Sequence, residues 1–288
     1  MVASEFDYHA PTSVAEALDL LAQHGEDAKL LAGGQSLIPL MKMRLSEPKV
    51  VIDLGKIATL AYIRERDGGL AIGATTTYSE LESSDLVRSH APVLAEAAAV
   101  VADPLVRNRG TIGGGLSHAD PGADLPAVVI ALGAELITSS GGAHRTISAD
   151  DFFVDLLTTA LEPTEILSEI FVPALPSGAG SAYAKFANKA SHFAIVGVAA
   201  VVALGSDGTC ESARIGVTGA GPRAVRASAA ETGLVGRRLD DSAIRSAAAM
   251  AGDGVEFNED IHASAEYRAH LTGVFAERAI RQAVANAG

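Results

Sequence analysis

The chain has one cysteine, Cys210, in 288 residues. A single thiol cannot form an internal disulfide, and one thiolate cannot hold an iron–sulfur cluster or a structural zinc ion. The eight histidines are scattered, without the HExxH spacing of a zinc-binding helix. These absences predict a metal-free, intracellular chain.

Positive charge is also scarce, since 22 Lys and Arg residues stand against 35 Asp and Glu residues, a net charge of −13. Such a surface repels phosphate backbones, which argues against nucleic acid as a partner. The opening residues, "MVASEFDYHAP", lack a basic segment followed by an apolar one, so they predict no signal peptide. The longest apolar run, residues 193–204, has about half the length that spans a bilayer. It predicts a buried strand rather than a membrane span.

What the sequence does contain is a mixture of helix and strand patterns. Residues 11–25 predict an amphipathic helix with Ser13 as its N-cap and Gly25 at its end. A second helix is predicted over 91–101, and two long strands are predicted near residues 192–204 and 211–220. Strands and helices do not alternate strictly, which favours an α+β fold over a doubly wound sheet.

The chain divides into three predicted parts. Residues 1–56 form a small helix-plus-strand unit around a glycine turn, and a linker, "PALPSGAGS", occupies residues 173–181. The predicted parts are therefore an N-terminal part (1–56), a middle part (57–177) and a C-terminal part (178–288).

Two glycine clusters stand out, "LLAGGQS" at 30–36 and "GTIGGG" at 110–115. Glycine permits positive φ and close approach to the backbone, so Gly113 to Gly115 can turn several N–H groups toward one point. Such a concavity binds anions, and the hydroxyls of Ser36 and Thr111 add to it. Two of these turns suit a ligand with two phosphates. The alternative for either one alone is an ordinary tight turn.

Residues 219–224, "GAGPRA", fit a dinucleotide-binding fingerprint, with Asp240 about twenty residues later. We reject this interpretation because Pro222 removes a backbone donor from the phosphate turn. The rest of the chain is also too short for further parallel strands. No GxSxG motif and no phosphate-binding P-loop motif occurs.

The segment "SHADPGAD" (117–124) places His118, Asp120 and Asp124 close together in the sequence. These residues form a candidate acid–base set, but Asp-Pro-Gly is also an ordinary turn. We therefore expect Asp120 or Asp124 to cap a helix or to hydrogen-bond a ligand rather than to catalyse.

The two glycine clusters also resemble a known family in their order and separation. "LLAGGQSLIPLMKMRLSEP" and "VIDL", followed some seventy residues later by "RGTIGGGLSHADPGADLPA", are similar to the FAD-binding medium subunits of the molybdenum hydroxylases. Within that family they resemble most the medium subunits of aerobic carbon monoxide dehydrogenases. The resemblance covers nearly the whole chain. It implies a vanillyl-alcohol-oxidase/PCMH-type fold, with FAD between the N-terminal and middle parts and a C-terminal α+β domain covering the flavin.

The resemblance also implies roles for individual residues. Both glycine clusters meet the pyrophosphate, and Asp124 accepts hydrogen bonds from sugar or ribityl hydroxyls. Lys185 lies near the polar edge of the flavin, where a cation favours the anionic reduced ring. Phe193 stands beside the ring system, with a plain core residue as its alternative. No residue is assigned as an acid or a base. The implied cofactor-binding set is Ala32, Gly33, Gly34, Gln35, Ser36, Leu37, Thr111, Ile112, Gly113, Gly114, His118, Asp120, Asp124, Ile166, Leu167, Lys185 and Phe193.

The sequence departs from the family pattern at three places. Gly115 stands where the family usually has Asn, which removes an amide side chain and loosens the turn. Gln35 stands where His is frequent, and it still hydrogen-bonds. Residues 191–193, Ser-His-Phe, replace Gly-Asp-Tyr or Gly-Asp-Trp, so Phe193 can only pack against a ring.

The function that the resemblance implies is electron transfer. Substrate is oxidised at a molybdenum cofactor on a large partner subunit, and 2Fe–2S clusters on a small partner subunit pass the electrons to FAD on this chain. A quinone or another acceptor then takes them. The lone cysteine fits this division, because the metals must lie on other chains. The family implies a cytoplasmic heterohexamer that is peripheral to the inner face of the membrane. Carbon monoxide, a purine, a nicotinate-like ring and an aldehyde stay open as substrates.

Two alternatives remain at this point. One is a self-sufficient FAD-dependent reductase or oxidase of the same fold, resembling the UDP-N-acetylenolpyruvoylglucosamine reductases, although no extra substrate domain or evident proton donor supports it. The other is a non-catalytic binding module that has lost FAD, and only Gly115 favours it.

Overall fold

The computed structural model describes residues 2–287. Its N-terminal part is a three-stranded parallel sheet of order β1-β3-β2 with a helix packed on it. The elements are β1 (Asp7–His9), α1 (Val14–His24), β2 (Ala28–Leu31), α2 (Leu37–Lys42) and β3 (Val50–Asp53).

Helix α1 begins and ends where the sequence predicts. The Ser13 hydroxyl accepts a hydrogen bond from the N–H of Glu16 at 3.2 Å, and Gly25 ends the helix with φ +53°. Ala17 and Leu21 are buried on its inner face against Ile52 of β3. The first glycine cluster begins at Leu30 and Leu31 of β2, so the pairing of β2 with β3 fixes where it starts.

The middle part is built on a five-stranded antiparallel sheet of order β4-β5-β10-β6-β7. Buried aliphatic residues of α5 and α8 form its core together with β5 and β10. Its elements are β4 (Ile63–Arg66), β5 (Gly69–Gly73), α3 (Tyr78–Ser83), α4 (Asp85–His90), α5 (Pro92–Ala99), α6 (Pro104–Arg107), α7 (Ile112–His118), α8 (Leu125–Ala131), β6 (Glu135–Ser140), β7 (Ala143–Ser148), α9 (Ala149–Phe152), the ribbon β8 (Phe153–Asp155) and β9 (Thr158–Thr159), and β10 (Ile166–Val172).

The C-terminal part is a four-stranded antiparallel sheet, β11-β12-β13-β14, with the long helix α12 packed across β11 and β12. The predicted apolar run is the buried central strand β12, as the sequence indicates. The elements are β11 (Ala179–Ala187), β12 (Ala194–Leu204), β13 (Cys210–Thr218), β14 (Val225–Arg226), α10 (Ser228–Leu234), α11 (Asp241–Ala248) and α12 (Ala265–Ala285).

The three predicted parts share contacts. Tyr183, Ala199 and Val201 of the C-terminal sheet belong to the same buried cluster as the core of the middle part. The exact domain boundaries stay predictions. Within residues 2–287, none of the helices combines the length and apolar character that a bilayer crossing requires.

Candidate functional site

A cavity of about 530 Å³ lies where the three parts meet. Its walls include a first glycine segment (residues 32–37, after β2) and a second glycine segment (residues 111–115, at the start of α7). The loop between α7 and α8, the start of β10 and residues 191–193 complete it. The fold thus brings together two glycine segments that are far apart in the sequence.

The first glycine segment presents unused backbone donors. Among the described residues, the N–H groups of Gly33 through Ser36 donate to no other backbone group. Gly34 has φ +77°, the left-handed conformation that glycine adopts readily. Ser36 is the N-cap residue of α2, but its hydroxyl caps no N–H group. The segment therefore has the donors that an anion requires.

The second glycine segment differs from its prediction. It is the first turn of α7, and its N–H groups are already used. Ile112 donates to the Thr76 carbonyl at 2.9 Å, Gly113 to the Ala74 carbonyl at 2.8 Å, and Gly114 to the Thr111 hydroxyl at 3.1 Å. The prediction that Gly113 to Gly115 aim several N–H groups at one point is wrong, because Ala74 accepts from Gly113 and Thr111 accepts from the other two. The Thr111 hydroxyl still borders the cavity.

Close contact, rather than a free turn, explains two of these glycines. A Cβ atom on Gly33 would lie 1.9 Å from the Arg109 carbonyl oxygen, and one on Gly113 would lie 2.5 Å from the Ala74 Cβ. Both distances are far inside van der Waals contact. Gly33 therefore lets the first segment touch the backbone just before the second one.

Tyr78 takes the space beside Gly115. A Cβ atom on Gly115 would lie 2.1 Å from the Tyr78 hydroxyl oxygen, so the asparagine expected from the family pattern does not fit beside this tyrosine. The Tyr78 side chain borders the cavity, and burial raises its pKa above the usual 10. No sequence motif marks Tyr78, which follows the Thr-rich segment at residues 75–77.

Asp124 is the buried carboxylate of the site. The Tyr183 hydroxyl donates to Asp124 Oδ1 at 2.6 Å, and Lys185 Nζ lies 2.9 Å from Oδ1 and 3.0 Å from Oδ2. Lys185 also donates to the Val100 carbonyl at 2.9 Å. Burial raises the pKa of Asp124, and its two partners oppose that rise.

Two predicted residues do not line the cavity. Lys185 lies behind Asp124 with a side chain only 7% exposed, and the side chain of Ile112 is buried in the core. The predicted residues that do line the cavity are Ala32, Gly33, Gly34, Gln35, Ser36, Leu37, Thr111, Gly113, Gly114, His118, Asp120, Asp124, Ile166, Leu167 and Phe193.

His118, Asp120 and Asp124 do not form a hydrogen-bonded acid–base set. His118 Nε2 is 3.9 Å from the Asp120 carboxylate, and Asp120 Oδ1 accepts from the N–H of Gly122 at 2.8 Å. Asp124 is bound by Tyr183 and Lys185 instead. The turn expected for Asp-Pro-Gly is present, and Asp124 does not cap α8 with its side chain.

The lining of the cavity also includes large apolar side chains. Ile166 and Leu167 at the start of β10 line it, and so do Leu157 and Phe193. Phe193 is 48% exposed, so the alternative of a plain core residue is wrong. Leu157 has φ +52°, and His192, the residue before Phe193, has φ +61°. This left-handed backbone conformation costs energy in residues other than glycine and is concentrated at functional sites.

These features fit FAD chemically. The backbone N–H groups of the first glycine segment and the hydroxyls suit its pyrophosphate, the carboxylate of Asp124 suits its hydroxyls, and the apolar lining residues suit a flat ring system. The cavity thus defines a class of protein, one that binds a long ligand with an anionic centre and an aromatic end.

Family comparisons identify the class more closely. The family model described as "FAD binding domain in molybdopterin dehydrogenase" matches residues 4–175, and that described as "CO dehydrogenase flavoprotein C-terminal domain" matches residues 181–283. The chain therefore belongs to the family of FAD-binding flavoprotein subunits of molybdenum hydroxylases.

Similar proteins match this chain over nearly its whole length. The chain is 42% identical to the carbon monoxide dehydrogenase medium chain of Hydrogenophaga pseudoflava, over 98% of both chains. It is 41% identical to the 6-hydroxypseudooxynicotine dehydrogenase complex subunit alpha of Paenarthrobacter nicotinovorans, over 97% of this chain and 94% of that one. A solved structure of the Hydrogenophaga pseudoflava carbon monoxide dehydrogenase matches with a TM-score of 0.97 and 44% identity, over 100% of both chains. The predicted family, fold class and FAD cofactor are confirmed.

Proposed function

We propose that the cavity is the FAD site and that this chain serves a carbon monoxide dehydrogenase complex as its electron-transfer subunit. The observation that carries the site is a row of N–H groups, Gly33 through Ser36, with no acceptor among the described residues, in a segment that lines the same cavity as Ile166, Leu167 and Phe193. Backbone donors and large apolar side chains in one cavity match the pyrophosphate and the flavin ring of FAD.

Each part of the chain has its own task in this proposal. The N–H groups of the first glycine segment, with the Ser36 and Thr111 hydroxyls, bind the pyrophosphate. Asp124 accepts hydrogen bonds from hydroxyls of the cofactor. Leu157 and Phe193 cover the ring and exclude water. Bound FAD supplies the redox chemistry by taking up and releasing electrons.

The proposed partners follow from the relatives. A large subunit with the molybdenum cofactor oxidises substrate, and a small subunit with 2Fe–2S clusters delivers the electrons. A quinone or another acceptor removes them. We propose carbon monoxide as the substrate because carbon monoxide dehydrogenase medium chains of two organisms are 40% and 42% identical over nearly the whole chain. The proposed assembly is a cytoplasmic heterohexamer, peripheral to the inner face of the membrane.

A negative charge in the first glycine segment tests the site. In Ser36→Asp, the new carboxylate faces the proposed pyrophosphate, and like charges in contact cost several kcal/mol. We expect FAD affinity to fall at least about a hundredfold, measured as FAD content and as Kd of the full chain with its partners. Aspartate is a favoured N-cap residue, so α2 tolerates the change.

The matched control is Ser36→Ala, which removes one hydroxyl without adding charge. It should lower FAD affinity only several-fold, and neither variant should lower the melting temperature of the FAD-free protein. Wild-type FAD content in Ser36→Asp would show that the pyrophosphate binds elsewhere.

A further inference from the structure

The Tyr78 hydroxyl is a polar group with no role in the proposed FAD site. It borders the cavity but has no hydrogen-bond partner among the described residues. The hydroxyl oxygen keeps some exposure, unlike the two fully buried unpaired side-chain atoms of the described residues, Ser181 Oγ and Arg268 Nε. A hydroxyl held in this way is ready for a partner that enters the cavity.

The tyrosine ring is held rigidly. Tyr78 is the first residue of α3, whose Thr77 and Glu80 form a complete capping box, and its N–H donates to the Gly110 carbonyl at 3.0 Å. The ring lies against Gly110, where a Cβ atom would be only 2.7 Å from Cε2. Little conformational entropy remains for the side chain to lose when a ligand binds.

The position of the hydroxyl is set by Gly115. The space that a Cβ atom at residue 115 would take is filled by the Tyr78 oxygen, while the ring carbon Cζ is 3.4 Å away. The hydroxyl thus reaches the second glycine segment at the point where the N–H groups are already used. The Tyr78 hydroxyl therefore supplies a hydrogen-bond donor beside the second glycine segment.

We propose that the Tyr78 hydroxyl hydrogen-bonds FAD and takes over the polar contact that a side chain at residue 115 cannot make here. The inference rests on the proposed function, that is, on FAD occupying this cavity. Tyr78 and Gly115 then act as a pair, since the glycine gives the room that the hydroxyl uses.

A reciprocal pair of variants tests the proposal. Tyr78→Phe removes only the hydroxyl and leaves no protein group unpaired, so the FAD-free protein should keep its melting temperature. We expect FAD to bind about tenfold more weakly, as one lost hydrogen bond predicts. The measurement is a titration of FAD into the FAD-free complex, followed by flavin fluorescence.

Gly115→Asn is the second arm. With Tyr78 present, its side chain collides with the hydroxyl, and we expect FAD binding to weaken more than in Tyr78→Phe. In the double variant the collision is gone, because the nearest ring carbon is then 3.4 Å from the new Cβ. The double variant should bind FAD more tightly than Gly115→Asn alone. Tyr62→Phe is the control, since its hydroxyl bonds Glu169 outside this cavity.

The outcomes separate the two proposals. If Tyr78→Phe binds FAD like the wild type while Ser36→Asp does not, the role of Tyr78 is wrong and the FAD site stands. If Gly115→Asn is not improved by Tyr78→Phe, the pairing of the two residues is wrong. If neither Ser36→Asp nor Tyr78→Phe changes FAD binding, the site itself is wrong.

Discussion

At the scale of single residues, the contacts of Asp124 could not be predicted from the sequence. The resemblance implies that Lys185 acts near the flavin, but the structure places its ammonium group on Asp124 and on the Val100 carbonyl. Tyr183 joins the same carboxylate. The physical role that this geometry supports for Lys185 is to oppose the rise in the pKa of Asp124 that burial causes and to fix the position of its carboxylate.

We predict that Lys185 affects FAD binding only through Asp124. Lys185→Met leaves burial of the carboxylate unopposed, which raises the pKa of Asp124 further. FAD affinity should fall roughly tenfold near neutral pH, and it should fall further as the pH is lowered and Asp124 takes up a proton. Titration of FAD at several pH values measures both effects.

A double-mutant comparison decides between the two roles of the lysine. In an Asp124→Asn background, Lys185→Met should have no further effect on FAD affinity. Additive losses would mean that Lys185 contacts the cofactor directly. The exposed Lys189→Met serves as the control for losing one positive charge.

At the scale of secondary structure elements, an ion pair fastens the β6–β7 hairpin to the turn before β10. Arg145 donates from Nε and Nη2 to the two oxygens of Glu165, at 2.6 and 2.7 Å. The Thr138 hydroxyl and the Glu162 N–H also donate to Glu165. This turn leads directly into Ile166 and Leu167, which line the cavity.

We predict that this ion pair makes stability depend on pH. Arg145 holds the pKa of Glu165 below its usual value, so its stabilisation is present at neutral pH and is lost as the pH falls through that lowered pKa. Arg145→Met should lower the free energy of unfolding at pH 7, because the buried Glu165 carboxylate then loses its charged partner. The difference from wild type should shrink in acid, which denaturant unfolding at several pH values would show.

The control for this prediction is Arg64→Met, because Arg64 is 61% exposed and lies 3.6 Å from Glu169. It should cost less than about 1 kcal/mol, as exposed ion pairs usually do. A loss in Arg145→Met that is equal at every pH would contradict the role of the ion pair.

Elements with strong local signals were predictable, and elements held by distant residues were not. Ser13 at the start of helix α1 and Gly25 at its end are local signals that the sequence shows directly. The second glycine segment predicts a loop because glycine disfavours helix. It is helical here because Ala74 and Thr76, far back in the chain, accept its first N–H groups. Tyr78 escaped prediction for the same reason, since only folding brings it to Gly115.

At the scale of the whole molecule, the C-terminal sheet is joined to the middle part by ion pairs as well as by apolar packing. Asp150 of α9 accepts from Arg214 at 2.6 Å and from Arg226 at 3.0 Å. Tyr183 and Lys185 of β11 reach Asp124 in the cavity wall. The C-terminal sheet therefore holds Asp124 through Tyr183 and Lys185, while the two other parts supply most of the residues that line the cavity.

We predict that the chain works only within a larger complex. Gently purified from its native source, it should carry about one FAD, together with molybdenum and iron on co-purifying chains. The complex should reduce an artificial acceptor with carbon monoxide. Metal analysis measures molybdenum and iron, flavin spectra measure FAD, and assays with a panel of substrates measure activity. FAD without molybdenum and iron would contradict the assembly and favour an independent flavoenzyme.

The contact between Gly33 and the Arg109 carbonyl has a consequence for biosynthesis. The cavity is lined by residues from Lys29 to Phe193, so no part of the nascent chain shorter than this can enclose the ligand. During translation the first glycine segment leaves the ribosome long before the backbone against which it packs. With FAD in the proposed site, flavin uptake waits until β11 and residues 191–193 have emerged, and we expect a chain stalled earlier to remain colourless.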